Sequence, residues 1–370
     1  MTIKSFLKKV NEIADEKNNQ KTKLIFDEKL SGVKIHNKKK VCKGYRLYEN
    51  KLIDIDGKII KTFPTKYINI IHKKNIIGQS DYEKSPWGIW DKNNKLIWKK
   101  NNTIHHDIFI TKKNTIITLE KETQEYKKRN VEFDTIVEYD LNGKKIEEIS
   151  IWKQIKEFQK YHKNFPLDLP KIPLIPLTAK IKEKSPWGGN YDYYHANSIQ
   201  IIPKNKSGIN DKRFQEGNII ISFRHGSLIY ILDKKTKNIV WNLGQNDIKN
   251  KIEGQHGAQI LENGNLLIFD NGRYRGWSRV IELNPINLEI IWEYKANNFF
   301  TVAQGYAQRL ENGNTLITES EKGRVIEVTK EKEIVWEFYH NEKQNKKNSM
   351  HPECYGKRQW IYRMIHYNKI

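Results

Sequence analysis

The stretch GQHGAQILENGNLLIFDNG, Gly254–Gly272, holds two short apolar runs separated by the turn Glu262-Asn263-Gly264-Asn265. Almost the same text returns as GYAQRLENGNTLITES, Gly305–Ser320. Apolar run, polar turn with Asn-Gly, apolar run is the pattern of a β-hairpin. A hairpin that recurs along a chain is the mark of a repeat fold. The two copies differ at one position that matters: His256 stands where the second copy has Gly305.

Each copy is followed by a closing phrase, and that phrase occurs six times. It reads DIDGKIIKTF from Asp54, WDKNNKLIWKK from Trp90, YDLNGKKIEEI from Tyr139, LDKKTKNIVWNL from Leu232, LNPINLEIIWEY from Leu283 and VTKEKEIVWEF from Val328. Each is an apolar residue, a polar turn rich in Asp, Asn, Gly and Lys, and then a β-branched run. Trp241, Trp292 and Trp336 close three of them at separations of 51 and 44 residues. That pitch leaves room for four short strands per unit. The pattern predicts an all-β, six-bladed β-propeller. Fuller units run from His195 to Leu243, His256 to Tyr294 and Gly305 to Phe338, and another begins at His105. The first unit is short, and QWIYRMIHYN, Gln359–Asn368, is a strand without a hairpin partner. Pairing of the two ends in one blade would close the ring and remove exposed edges.

Residues 1–40 are read as an N-terminal helical and linker segment, with Ile3, Phe6, Leu7, Val10 and Ile13 at helical spacing. Residues 41–370 are read as the propeller. One segment breaks the rhythm: 93 residues separate Asp140 from Asp233, where about 45 are expected. The excess, residues 151–193, predicts a partly helical insertion, with Ile151, Ile155, Phe158 and His162 on one side of a helix. Pro166, Pro170, Pro173 and Pro176 follow, too many for a central strand.

Composition sets the outer limits. With 37% hydrophobic and 11% aromatic residues the chain is a folding sequence. A net charge of +22 favours an anionic partner: nucleic acid, an acidic surface, or a small sulfate or phosphate ester. The basic residues are mostly Lys interleaved with Asn and Ile. No helix-turn-helix, zinc-finger or RNA-recognition signature accompanies them, so specific nucleic-acid binding is not expected. Two cysteines, Cys42 and Cys354, make no disulfide framework and no Cys-x-x-Cys site. No run reaches the length of a membrane-spanning helix. The N-terminus lacks the apolar core of a signal peptide, which gives the expectation of a cytoplasmic chain.

In a propeller the first strand of every blade lines the central channel, so residues at matching repeat positions converge. The polar residue ahead of the first apolar run is His105 or His106 in one unit, His195 in the next, His256 in the next and Gly305 in the last. The choice between His105 and His106 rests on one residue of turn length and stays open.

The strings YHANSIQII, GNIIISFRHGSLIYILD, IVWNLG and GQHGAQIL, in this order, resemble the arylsulfotransferase family of six-bladed propellers, best known from bacterial arylsulfate sulfotransferases. The resemblance spans Gly44 to Tyr367 and is strongest from Tyr194 to Phe338. It implies transfer of a sulfuryl group from an aryl sulfate donor to a phenolic acceptor through a sulfated histidine, with no cofactor and no nucleotide sulfate. Residue by residue, it makes His256 of GQHGA the nucleophile. His195 and Asn197 of HANS, with Arg224 of SFRHG, take the sulfate-binding and acid–base positions, and His106 is the further channel histidine. His225 is expected to face away from Arg224 by strand alternation. The family is typically exported.

The residue types suit that chemistry. Imidazole is a neutral nucleophile near neutral pH, and a guanidinium fork binds two oxygens of a sulfuryl group. Tyr306, Arg273, Arg275 and Arg279 are further candidates for the lining, though such residues are more often structural or solvated. Three other classes remain open: a non-catalytic propeller that displays loops for a protein or glycan partner, a metal or quinone-cofactor propeller, and a nucleic-acid binder. No Glu-x-x-His or paired-carboxylate spacing supports a metal. Oligomeric state is not written in the sequence.

Overall fold

The computed structural model describes residues 29–79, 86–126, 129–161, 191–244, 247–248, 251–273, 275–343 and 358–370. They form six sheets arranged as the six blades of a propeller, antiparallel except where the two-residue strand Tyr191–Asp192 pairs parallel with Arg129–Tyr139. Blade 1 has the strands Tyr45–Tyr48, Lys51–Ile53 and Ile59–Thr62; blade 2 has Tyr67–His72, Asn75–Gln79, Trp87–Trp90 and Leu96–Lys100. Blade 3 has Ile104–Ile110, Ile116–Tyr126, Arg129–Tyr139 and Lys145–Ser150; blade 4 has Ala196–Ile201, Ile219–Phe223, Leu228–Leu232 and Ile239–Leu243. Blade 5 has His256–Ile260, Leu266–Asp270, Arg279–Leu283 and Ile290–Tyr294; blade 6 has Tyr306–Arg309, Thr315–Glu319, Arg324–Val328 and Ile334–Tyr339.

The two middle strands of a blade are covered on both faces by the neighbouring blades. They therefore read as unbroken buried runs, such as IIISF, LIYIL and LLIFD. Outer strands keep one wet face and alternate, as IVWNL does. Six apolar clusters fill the described core, one at each blade-to-blade interface. Phe223 and Tyr230 meet Ile117 and Phe133 between blades 3 and 4; Phe269 and Trp292 meet Ile317 and Ile326 between blades 5 and 6. The hairpin turns repeat as well: at Gly264, φ is +88° in the left-handed region that favours glycine.

The recurrent tryptophan has a fixed task. From the outer strand of one blade its indole N–H donates to a backbone carbonyl in the last turn of the next blade. Trp98 bonds Leu141 at 2.7 Å, Trp241 bonds Pro285 at 3.0 Å, Trp292 bonds Lys330 at 2.8 Å and Trp336 bonds Ile55 at 2.7 Å. Blades 1 and 3 lack the tryptophan and use charge at the same place. The Lys61 ammonium donates to the Lys92 carbonyl, and Glu147 pairs with Lys237 at 2.7 Å.

The ends close the ring. Met364–Tyr367 pairs antiparallel with Tyr45–Tyr48 and is the inner strand of blade 1. Gly32–His36, assigned by the sequence to the segment before residue 41, pairs with Ile334–Tyr339 as a fifth strand of blade 6, so the propeller reaches back to Gly32. The expected N-terminal helix lies outside the described residues. Of the insertion, a short helix at Ile155–Lys160 is described, with Phe158 buried against Phe223 and Tyr230. His162 and the proline run lie outside the described residues.

Candidate functional site

The inner strands begin at one mouth of the channel, and the turns after the second strands come back to it. His106 lies near the start of the inner strand Ile104–Ile110 of blade 3, His195 directly ahead of Ala196–Ile201, and His256 heads His256–Ile260. Arg224, Asn271 and Glu321 sit just past the second strands of blades 4, 5 and 6.

His106 and His195 touch: their Nε2 atoms are 2.8 Å apart. His105 is in the same group, with ring centroids 4.1 Å from His106 and 4.7 Å from His195. The sequence offered His105 or His106, and the fold buries both rings together. The reason is local: His106 has φ +64°, which breaks the pleat so that consecutive side chains no longer face opposite ways. Each Nδ1 has an oxygen partner. His105 pairs with Asp134 at 3.0 Å, His195 with Asp192 at 2.5 Å, and His106 with the Tyr362 hydroxyl at 3.1 Å. Lys121 lies between the two aspartates, 3.1 Å from Asp134 and 2.8 Å from Asp192. Burial works against its charge, but the two carboxylates outweigh that and raise its pKa. Burial and the mutual repulsion of the rings hold His106 well below the usual imidazole range, and burial does the same to His195 against the pull of Asp192.

His256 is built differently. Its Nδ1 faces two oxygens, Asn271 Oδ1 at 2.7 Å and the Gly254 carbonyl at 3.0 Å. The Asn271 amide nitrogen donates to the carbonyls of Thr301 at 2.8 Å and Gln304 at 2.5 Å, which fixes its oxygen toward the ring. Nδ1 must therefore carry the hydrogen, and Nε2 keeps its lone pair. That Nε2 is buried and has no hydrogen-bond partner among the described residues. Burial first, then the Arg224 charge, pushes the pKa down to about 3. The ring is neutral and basic at one nitrogen only.

Asn197 donates to the carbonyl of Gln255 at 2.7 Å, so it braces the residue before His256. Arg224 is tied by its backbone N–H to the His195 carbonyl at 3.0 Å, and its charge reaches His256. A Cβ on Gly254 would lie 3.0 Å from Cδ of Arg273 and 3.9 Å from Cγ of Arg224, so both stems run past that glycine. Arg275 and Arg279 are structural, each paired with Asp270, at 2.9 and 2.8 Å. Tyr306 packs on Gly257. Gly305, the blade 6 counterpart of His256, has no room for a side chain: with φ +131°, an added Cβ would fall 2.4 Å from the Phe269 ring.

His225 does not face away. The strand ends at Phe223, so alternation does not extend through the turn, and the His225 ring lies 5.1 Å from that of His195. Its Nδ1 is 3.0 Å from the Asp192 carbonyl, and burial lowers its pKa to about 4. Asp134, Asp192, Lys121, Asn271 and Tyr362 carry no signal in the sequence pattern. Nor did it point to Glu321, whose carboxyl burial pushes up to about 8 while accepting the Ala303 N–H at 2.7 Å.

Among solved structures, a protein of unknown function from Bacteroides caccae is similar at 12% identity and TM-score 0.50, covering 87% of this chain and 98% of that one. A virginiamycin B lyase from Staphylococcus aureus with quinupristin is similar at 12% identity and TM-score 0.43, covering 84% of each chain. At such identities the likeness is one of fold alone. No curated protein matches the sequence. The profile of the family described as Arylsulfotransferase (ASST) matches residues 85–342, well over half of the chain and all of the side chains gathered at the mouth except Tyr362. The chain belongs to the arylsulfotransferase family.

Proposed function

We propose that the chain transfers a sulfuryl group from an aryl sulfate to a phenolic acceptor through a sulfated His256. The observation that carries this reading is Nε2 of His256, buried and without a hydrogen-bond partner among the described residues, while its other nitrogen is held as a donor by Asn271 and Gly254. In the first step the Nε2 lone pair attacks sulfur and the bond from sulfur to the aryl oxygen breaks. The phenolate leaves with a proton. In the second step the acceptor hydroxyl attacks the same sulfur, the N–S bond breaks, and the acceptor proton is taken up. Arg224 balances charge on the sulfuryl oxygens, the kind of stabilisation that dominates such transfers.

The acid and base of both steps are the His106–His195 pair. Their Nδ1 atoms are committed to Tyr362 and Asp192, so only the facing Nε2 atoms can carry the moving proton. Arrival of an anionic aryl sulfate favours protonation there, as a nearby opposite charge does. Departure of the phenolate removes that proton. The test is mass spectrometry of protein quenched after brief mixing with an aryl sulfate. A sulfated peptide containing His256 is expected. Phenol release without such a peptide would assign the nucleophile elsewhere.

A further inference from the structure

The His105, His106 and His195 cluster carries more than an acid–base pair. The hydrogen on each Nδ1 follows from its partner. Asp134 and Asp192 are carboxylates that only accept, so His105 and His195 donate from Nδ1. The Tyr362 hydroxyl sends its one hydrogen to the His106 carbonyl at 2.6 Å, so His106 donates to it from Nδ1 as well. Three neutral rings of this tautomer each carry their lone pair on Nε2. Two of those nitrogens face each other at 2.8 Å, where two lone pairs repel unless a cation lies between them. One ligand nitrogen from each of the three rings lies within 4.8 Å of the others.

We infer that His105, His106 and His195 form a site for a divalent transition-metal ion of the zinc type, with three imidazole ligands and an open fourth position. Zinc–nitrogen bonds of about 2.0–2.1 Å set tetrahedral ligands about 3.3 Å apart, so the 2.8 Å pair has to open by about half an ångström. The outer ring of partners is the one such sites use: an oxygen on the far nitrogen of each ligand, fixing tautomer and orientation. Charge agrees. Asp134 and Asp192 bring two negative charges and Lys121 returns one, so a divalent ion leaves the site with a net positive charge that suits an anion at the open position. A second group, Glu49, His340 and Glu342, is a poorer candidate because the Lys51 ammonium already sits on it, 2.7 Å from Glu342. The ligand spacing was invisible in the sequence because two ligands are adjacent in blade 3 and the third opens blade 4.

Ion binding does not depend on the sulfuryl-transfer reading. Where both hold, the ion occupies the nitrogens that the transfer needs for its proton, so ion and turnover exclude each other. The experiment is titration of chelator-stripped protein with Co2+. The expected result is the visible d–d absorption of tetrahedral Co2+, saturating at one ion per chain and bleached by Zn2+. His195→Gln should abolish it. Tyr362→Phe, which keeps the ring and removes only the partner of His106, should weaken binding by about 10–100-fold. Thermal melts of both variants confirm that they fold, and Tyr362→Phe decides if His195→Gln does not. Absence of the band in the parent protein overturns the site, as does a band of unchanged affinity in folded variants. Aryl sulfate turnover on the same samples separates the two readings. Cobalt binding by a protein that releases no phenol once stripped upholds the ion site and sinks the transfer; turnover with no band does the reverse.

Discussion

Asn271 Oδ1 stands 2.7 Å from Nδ1 of His256 and, through its own amide hydrogens, is anchored to the carbonyls of Thr301 and Gln304. Asn271 therefore sets the tautomer of His256, with the hydrogen on Nδ1 and the lone pair on Nε2. Asn271→Ala should lower kcat for phenol release by about 10²-fold, because the ring can then turn or change tautomer. KM for the aryl sulfate should change little. An unaltered kcat in a folded variant would remove Asn271 from the mechanism.

His256→Ala should abolish both phenol release and sulfate labelling while leaving the far-UV circular dichroism of the parent. Arg224→Ala should retain labelling but slow it by about 10²–10³-fold, the usual loss for one transition-state donor. Equal damage from both substitutions, with no label in either, would argue that Arg224 is needed to assemble the site rather than to stabilise charge.

Acid should weaken the fold before the carboxylates titrate. His256 and His225 are held neutral to about 3 and about 4, so below the ordinary imidazole value the unfolded chain takes up protons that the folded chain refuses. Each such ring lowers stability by about 1.4 kcal/mol per pH unit from about 6.5 downward. His105, His106 and His195 act in the same direction. Glu321, raised to about 8 from 4.5, acts oppositely and offsets one ring over that range. Urea unfolding at pH 7 and pH 5 should show a clear loss at the lower pH. Equal stability at both would mean that these rings protonate in place.

Trp336→Phe should destabilise the ring by about 0.5–1.5 kcal/mol, the usual net worth of one hydrogen bond, here to the half-buried Ile55 carbonyl. Urea midpoints measure it. Because the bond joins blade 6 to blade 1, an unchanged midpoint would show that the terminal strands alone hold the closure.

The architecture was legible because the repeat is local. Every turn-and-strand phrase can be read within a dozen residues, and the tryptophans that punctuate it make the same bond in successive blades. His256, His195 and His106 were singled out because they occupy matching places in their units, and Arg224 and Asn197 through the family strings SFRHG and HANS. Asp192, Asp134, Lys121 and Asn271 were not, because they reach the histidines across blades and leave no spacing to count. His225 was misread because alternation was carried past Phe223 into a turn. The doubt between His105 and His106 had no answer in alternation: a left-handed residue at His106 turns both rings inward.

The inner strand of blade 1, Met364–Tyr367, lies far along the sequence from its partner Tyr45–Tyr48, and Tyr362 and Arg363 just before it reach His106 and Asp107 in blade 3. One segment thus serves as both the clasp of the ring and a wall of the histidine group. A chain cut ahead of Tyr362 would lose the clasp and the partner of His106 at a single stroke.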